Sequence, residues 1–214
     1  MGKLPRGIDD NMIGRLGNHV GRYLRGENII AMRPSKSNRA ATQLQSLQRA
    51  KFGFLAGWLA PLSSFIDVGF KNYDADMSAR NACMSYNFKQ EVITGVLPNF
   101  MIDYGKLVLS RGTLEGTYLP SVETGAQVSL KFTWEDNIGV TNAQLTDDLS
   151  FVVYDPMTDK YAVAVGVVKR SAKVYSMPLP LDFSTHMVHT WMMAVSADGK
   201  MVTDSQHLGP VPVG

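Results

Sequence analysis

The sequence predicts an α+β fold, in which an N-terminal extended arm or hairpin and two to three helices precede an antiparallel β-sandwich. Three observations predict it. The first forty residues are basic and interrupted by glycines. Apolar residues then recur at helical spacing, and from residue 98 onward they alternate with polar residues, as in half-buried strands. We therefore divide the 214 residues into segments 1–40, 41–97 and 98–214.

The arm, residues 1–40, is expected to form a hairpin. Six glycines within its first 26 residues oppose a stable helix. Two strand-like runs, NHVGRYL and NIIAMR, flank RGEN, where Gly26 would supply the positive φ of a tight turn. Because an isolated two-stranded hairpin is marginal in water, the arm needs a sheet edge or a partner to lean on.

The middle segment is predicted to be helical. In residues 41–72 the run TQLQ places Thr42 as the N-cap of a capping box. Pro61 is expected to kink or restart this helix, and Gly69 to end it. A second helical stretch is expected from about residue 74 to residue 94, again from the spacing of its apolar residues.

Seven strand-like runs follow, separated by turn clusters such as EDNIG, DPMTDK and ADGK. The runs are YGKLVLSRG, AQVSLKFTW, LSFVVYD, YAVAVGVVKR, KVYSMPL, VHTWMMAVS and MVTDSQHLG. A tryptophan ends an early strand, and an aromatic-rich strand precedes a D-G hairpin near the end. This order resembles an immunoglobulin-like, fibronectin type III-like module, which implies two packed antiparallel sheets. With a single cysteine, the chain has no Cys pair for the disulfide of an immunoglobulin domain.

Two N-terminal motifs carry a second resemblance. GRLGNHVG fits the pattern G-K/R-x-G-N-x-V-G, and TQLQSLQRAKF fits T-x-x-Q-x-x-Q-R-x-x-F. With the ending DGKMVTDSQHLG they resemble a bacterial family of uncharacterised proteins, a domain of unknown function, over nearly the whole chain. The sequence departs from the family pattern at Arg33 and Pro34, which are adjacent instead of spaced. The resemblance implies no catalytic residues, and it has a general likeness to phage and mobile-element virion proteins by analogy.

Charge is unevenly distributed along the chain. Residues 1–51 hold ten Lys/Arg against three Asp/Glu, a local net charge of +7. Because the whole chain carries +2, the remaining 163 residues carry −5. Such asymmetry indicates a partner for the basic end: nucleic acid, a membrane surface, or the acidic body of a neighbouring copy.

Histidine and cysteine offer little chemistry. His186 and His189 have the spacing of a metal motif on a helix, but in a strand they point to opposite faces, so we expect no metal site. Cys83 is expected to be a small buried hydrophobe and not a reactive thiol.

Candidate carboxylates fall in predicted turns, where Asp is common for backbone reasons. They are Asp147, Asp148, Glu135, Asp136 and Asp155. The sequence contains no phosphate-binding G-x-x-x-x-G-K-[ST] loop and no G-x-S-x-G nucleophile elbow. We therefore expect no enzyme and no cofactor.

The composition of the arm is best explained by assembly. Glycines let backbones approach closely, strand-like runs can add to a neighbour's sheet edge, and positive charge complements an acidic body. The contact would be head-to-tail, giving a homopolymer that is a filament, a ring or a virion-like particle. The predicted interface residues are Gly14, Gly17, Gly21, Arg22, Tyr23, Arg25, Ile29, Ile30 and Arg33.

Two alternatives remain open. In the first, the arm packs on its own chain, and the loops EDNIG, DPMTDK and DFSTH of a monomer bind a protein or a glycan. In the second, the basic arm binds nucleic acid through its phosphates. The N-terminus lacks the apolar core of a secretory signal, and no membrane span is expected. We therefore expect synthesis in the cytoplasm, with lysis or a non-Sec route as the way out of the cell.

Overall fold

The fold is described here from a computed structural model of the chain. The structure describes residues 11–24, 27–35, 39–135, 137 and 142–214. The chain separates into two compact units, residues 1–42 and residues 43–214.

The first unit contains a three-stranded antiparallel sheet. Its strands are β1 (Gly14–Leu16), β2 (His19–Leu24) and β3 (Glu27–Met32), in the order β1-β2-β3. The two predicted strand-like runs correspond to β2 and β3, whereas β1 was not predicted. The predicted turn at Arg25 and Gly26 lies outside the described residues.

The second unit begins with three α-helices and a 3₁₀ turn. These are α1 (Gln43–Leu59), the turn Ala60–Leu62, α2 (Ser63–Gly69) and α3 (Ala79–Lys89). As predicted, α1 begins directly after Thr42, and the helix tightens at Pro61. Gly69 ends α2, where a Cβ would lie 2.6 Å from the Cβ of Ser110, so a side chain there would clash.

The predicted helix to residue 94 is too long, because α3 ends at Lys89. A hairpin follows, formed by β4 (Ile93–Val96) and β5 (Asn99–Ile102). The β-branched run before Gly95 favours a strand over a helix, and Gly95 adopts a φ of 79° beside the turn.

Seven further strands form two facing antiparallel sheets. They are β6 (Tyr118–Thr124), β7 (Ser129–Glu135), β8 (Asp148–Asp155), β9 (Lys160–Lys169), β10 (Val174–Pro178), β11 (Met187–Val195) and β12 (Gln206–Pro212). One sheet has the order β10-β7-β6 and the other the order β12-β11-β8-β9. Inward-facing residues that alternate along the strands fill the space between the two sheets. The ring centroids of Phe132 and Phe151, one from each sheet, are 4.6 Å apart.

The four-stranded sheet is covered on its other face as well. Val152, Tyr154 and Trp191 point away from the sandwich core and pack with Phe65 and Ile66 of α2 in a second hydrophobic cluster. The second unit therefore has three layers, in the order helices, four-stranded sheet, three-stranded sheet. This arrangement confirms an α+β chain with an antiparallel sandwich.

The predicted strands differ from the structure in three places. Of the run MVTDSQHLG, only residues 206–209 lie in a strand, β12. The run YGKLVLSRG, residues 104–112, forms no strand. Its backbone groups form hydrogen bonds with side chains and with the end of α2 instead of with another strand; for example, the N–H of Leu109 donates to Ser205 Oγ at 2.9 Å. The unpredicted strand β6 contains Pro120, and it is an edge strand, where a missing N–H is tolerated.

Within the described ranges, one helical stretch has the length and composition that could cross a membrane. Gln43–Gly69 contains an 18-residue window of mean hydropathy 1.3, and 39% of that window is buried within the chain. A core helix of a soluble protein meets the same criterion, so the expected lack of a membrane span stays a prediction.

Candidate functional site

The residues predicted for the assembly interface lie together in the N-terminal sheet. Gly14 pairs with Gly21 across β1 and β2, and Gly21 pairs with Ile30 across β2 and β3. The N–H of Arg33 donates to the carbonyl of Asn18 at 2.7 Å, which closes the open end of the hairpin. Of the nine predicted residues, Arg25 alone lies outside the described ones.

Gly21 is required by a close approach of the chain. A Cβ at this position would lie 2.1 Å from the backbone oxygen of Met12, which a real side chain cannot do. The Asn28 side-chain amide lies 3.2 and 3.3 Å from the backbone oxygen and nitrogen of Met12, so a single amide orientation satisfies both. Met12 is thereby held against the sheet and is buried.

The sheet has one apolar face and one basic face, because neighbouring residues on a strand point to opposite sides. The register places Leu16, Tyr23, Ile30 and Met32 on the side of Gly21, and each is more than half exposed. We call these four residues the apolar face. The other side, the basic face, carries the exposed Arg15 and Arg22 beside the half-buried Val20 and Ile29, with the exposed Leu24 and Glu27 at its far end. The predicted interface residues are therefore divided between two faces.

The second unit contains an open groove of about 680 Å³, in the size range of ligand sites. It lies between α1, the β4–β5 hairpin and the turn that joins β8 to β9. Six aromatic side chains line it: Phe54, Trp58, Phe100, Tyr104, Tyr154 and Tyr161. We call it the aromatic groove. The rings contact each other, with Tyr154 and Tyr161 centroids 4.7 Å apart and Trp58 edge-on to both.

Two glycines of α1 open the aromatic groove. Gly53 and Gly57 lie one turn apart in the helix, and a Cβ at either position would meet no atom within 4 Å. A glycine inside a helix costs about 0.5–1 kcal/mol relative to alanine. Packing within the second unit does not require these glycines, and their missing side chains leave open space beside the helix.

A single carboxylate, that of Asp159, lies at the edge of the aromatic groove. Its Oδ1 accepts a hydrogen bond of 3.0 Å from the hydroxyl of Tyr154. Asp159 has a φ of 52°, a left-handed conformation that aspartate tolerates better than most residues. Burial raises the pKa of Tyr104, of Tyr154 and of Tyr161, so all three hydroxyls are neutral near pH 7. Among the described residues that line the groove, none is cationic.

The groove continues into a second depression of about 490 Å³ that shares Pro61, Asp159 and Tyr161 with it. Lys160 and Asp182 form an ion pair on its wall. The predicted binding loops DPMTDK and DFSTH therefore meet at one surface. The loop EDNIG contributes nothing that can be described, because most of it lies outside the described residues.

Two of the candidate carboxylates named from the sequence form ion pairs within the fold. Asp147 is buried and pairs with the buried Arg170 at 3.1 Å. Asp148 pairs with Lys169 at 2.7 Å on the surface. Asp136 lies outside the described residues, and Glu135 is exposed at the end of β7.

Asp155 and the two histidines form no common site. Burial raises the pKa of Asp155, but hydrogen bonds from Thr158, His186 and the Met157 N–H outweigh burial, so its pKa lies below the usual value. His186 bonds to Asp155 at 2.8 Å, whereas His189 faces His207 at 3.3 Å. In the described part of the chain, no three His, Cys, Asp or Glu side chains are placed to hold a metal ion.

A family model, described as a family of unknown function (DUF6266), matches residues 11–209. The chain belongs to this family. No curated protein matches it. The match covers both the N-terminal sheet and the sandwich of this DUF6266 protein. It confirms the resemblance found from the sequence motifs at the level of an uncharacterised family.

Sequence reasoning missed the aromatic groove of this DUF6266 protein. Its lining comes from segments that are far apart along the chain, such as Trp58, Tyr104 and Tyr154. One local signal was available: two glycines inside an otherwise regular helical pattern, where glycine is unfavourable. The spacing of Gly53 and Gly57 indicates an open position on one helix face.

Proposed function

We propose that this chain is a non-enzymatic structural subunit that assembles with copies of itself through its N-terminal sheet. The observation that carries the proposal is the apolar face. Four large apolar side chains on a three-stranded sheet are each more than half exposed, and an exposed patch of this kind marks an interaction surface. A sheet of this size needs its apolar face covered to be stable, and a neighbouring subunit would cover it.

Charge supports a neighbouring copy as the partner. Residues 1–42 contain eight Lys/Arg and three Asp/Glu, a net charge of +5. Because the chain as a whole carries +2, residues 43–214 carry −3. A basic first unit therefore complements the acidic second unit of another copy. The contact joins two different surfaces, so it repeats head-to-tail and builds a ring or a filament.

The strand order supports a fibronectin type III-like assignment of the sandwich. Three strands in the order β10-β7-β6 face four strands in the order β12-β11-β8-β9. Numbered within the sandwich, strands five, two and one face strands seven, six, three and four. Such modules serve in many proteins as rigid spacers and binding domains, which fits a structural subunit by fold analogy alone.

The test is the mass and shape of the full-length protein. Multi-angle light scattering over a range of concentrations, with negative-stain images of the same fractions, is expected to reveal assemblies larger than 23.5 kDa. Ile30→Thr, on the apolar face, is expected to weaken association. Val174→Thr, a similarly exposed position on β10, is the matched control and is expected to leave it unchanged. A monomer at all concentrations would refute the proposal.

The second candidate function is a monomeric binding module, and the aromatic groove favours it. Loops DPMTDK and DFSTH meet along this surface, and aromatic rings suit either an extended proline-rich peptide or a sugar face. Isothermal titration with a decaproline peptide and with a panel of oligosaccharides tests this function. Gly57→Trp, which would fill the groove, is expected to abolish any binding that occurs there.

A further inference from the structure

The aromatic groove has the chemistry of a receptor for a cationic side chain. Tyr161 is half-buried at the open space, Trp58 and Tyr154 are buried and pack against it, and the exposed Asp159 carboxylate lies at the rim. A guanidinium is attracted both to aromatic faces and to a carboxylate. The Tyr154 hydroxyl donates a hydrogen bond to Oδ1 of Asp159, which fixes the orientation of the carboxylate.

The two glycines indicate how closely the occupant approaches. Nothing in the second unit comes within 4 Å of a Cβ built on Gly53 or Gly57, although alanine would make a more stable helix at both positions. Glycine at such a position permits a partner's chain to lie directly against the helix backbone. The helix therefore forfeits stability where a partner would dock.

The first unit supplies a cation of the right kind. Arg15 and Arg22 are exposed on the basic face of the N-terminal sheet, flanked by the apolar side chains of Val20 and Ile29. An arginine on a rigid strand loses less freedom on binding than one on a loose segment. The net charges of the two units, +5 and −3, also favour their contact.

We propose that the aromatic groove of one copy receives Arg22, on the basic face of the N-terminal sheet, from a second copy of this chain. This inference rests on the proposed assembly and adds a second contact, made by the basic face, to the one proposed for the apolar face. Arg22 lies against the half-buried ring of Tyr161 at the mouth of the groove, its guanidinium pairs with the exposed Asp159, and the strand backbone lies over Gly57. Each copy carries one donor surface and one receptor surface, so the contact propagates.

The test uses full-length variants and sedimentation velocity. Gly57→Trp blocks the receptor, and Arg22→Glu removes the donor. Each variant alone is expected to lose association at least about tenfold, since a desolvated cation–π contact with an ion pair exceeds one decade in affinity. Ser46→Trp, an exposed position on the same helix outside the groove, and Asp198→Asn, on a distant surface turn, are the matched controls and keep wild-type association.

Mixing the two blocked variants distinguishes this contact from any other. Gly57→Trp retains an intact donor and Arg22→Glu retains an intact receptor, so the mixture is expected to form a one-to-one dimer at least about tenfold more tightly than either variant associates alone. Asp159→Asn is expected to weaken association and to reduce its sensitivity to salt. Circular dichroism melting of each variant confirms that it is folded.

The outcomes separate this inference from the proposed function. If the wild-type chain is monomeric, both fail. If the wild-type chain assembles and the blocked variants assemble equally well, the groove contact is wrong while self-assembly stands. If both variants are folded monomers and their mixture stays monomeric, the pairing of Arg22 with the groove is likewise overturned. Recovery of a dimer in the mixture alone establishes it.

Discussion

Replacing Asp147 with asparagine is expected to destabilise the second unit by about 3–5 kcal/mol, because it leaves a buried guanidinium without its counter-charge. Asp147 and Arg170 are each about 1% exposed, and the carboxylate lies 3.1 Å from Nε. The guanidinium also donates to the carbonyls of Glu115 and Gly116 and to Oδ1 of Asn137, at 2.8 to 3.1 Å. These bonds hold the cation in place, so it cannot move to water when its partner is neutralised.

The neighbouring residue provides a matched control. Asp148→Asn makes the same chemical change in the exposed pair with Lys169, whose median worth is about 0–1 kcal/mol. Urea and thermal unfolding followed by circular dichroism measure both variants. For a chain of this size, Asp147→Asn is expected to lower the melting temperature by roughly 6–20 °C. Equal effects of the two substitutions would refute the reasoning, because they would mean that burial of the pair does not matter.

Three further predictions concern single sites. Gly57→Ala is expected to raise the free energy of unfolding by about 0.5–1 kcal/mol, whereas Gly69→Ala is expected to lower it, because its Cβ would lie 2.6 Å from a side-chain carbon of Ser110. Chemical denaturation measures both variants, and the reverse ranking would contradict the packing described. Burial lowers the pKa of both His189 and His207 in the folded chain, so just below pH 6.5 the unfolded chain binds more protons than the folded chain. The melting temperature is therefore expected to fall from pH 7 to pH 5, and to fall less steeply in His207→Gln. Burial raises the pKa of the Cys83 thiol to about 12, so a disulfide reagent at pH 8 should label it only in denaturant, and rapid labelling of the folded chain would show that the thiol is accessible.

Sequence patterns predicted the helices and strands well where the nature of neighbouring residues determines the secondary structure. The 3.6-residue period and the capping-box pattern that begins at Thr42 located α1, and Pro61 located the break after it. The alternating runs located β8, β9 and β11, whose inward residues form the sandwich core. These patterns involve residues that are close in sequence, so they can be recognised without knowledge of the fold.

Long-range contacts set the features that local patterns missed. Residues 104–112 alternate like a strand, yet their backbone groups bond to side chains such as those of Asn87 and Ser205, distant in sequence. The strand β6 carries Pro120, which argues against a strand until the edge position is known. The aromatic groove brings together residues up to about a hundred positions apart, so only Gly57 and its partner glycine hinted at it.

The edges of the sandwich also bear on how copies of the chain can pair strand to strand. Three of its four edge strands contain proline: Pro120 in β6, Pro178 in β10, and Pro210 and Pro212 in β12. The fourth, β9, is interrupted by a bulge beside Gly166, whose φ is 63°. Interrupted edges do not template uncontrolled strand pairing between crowded copies. Among the described strands, the proline-free edges without a bulge are β1 and β3 of the N-terminal sheet and β4 and β5 of the hairpin, so any ordered strand exchange is expected there.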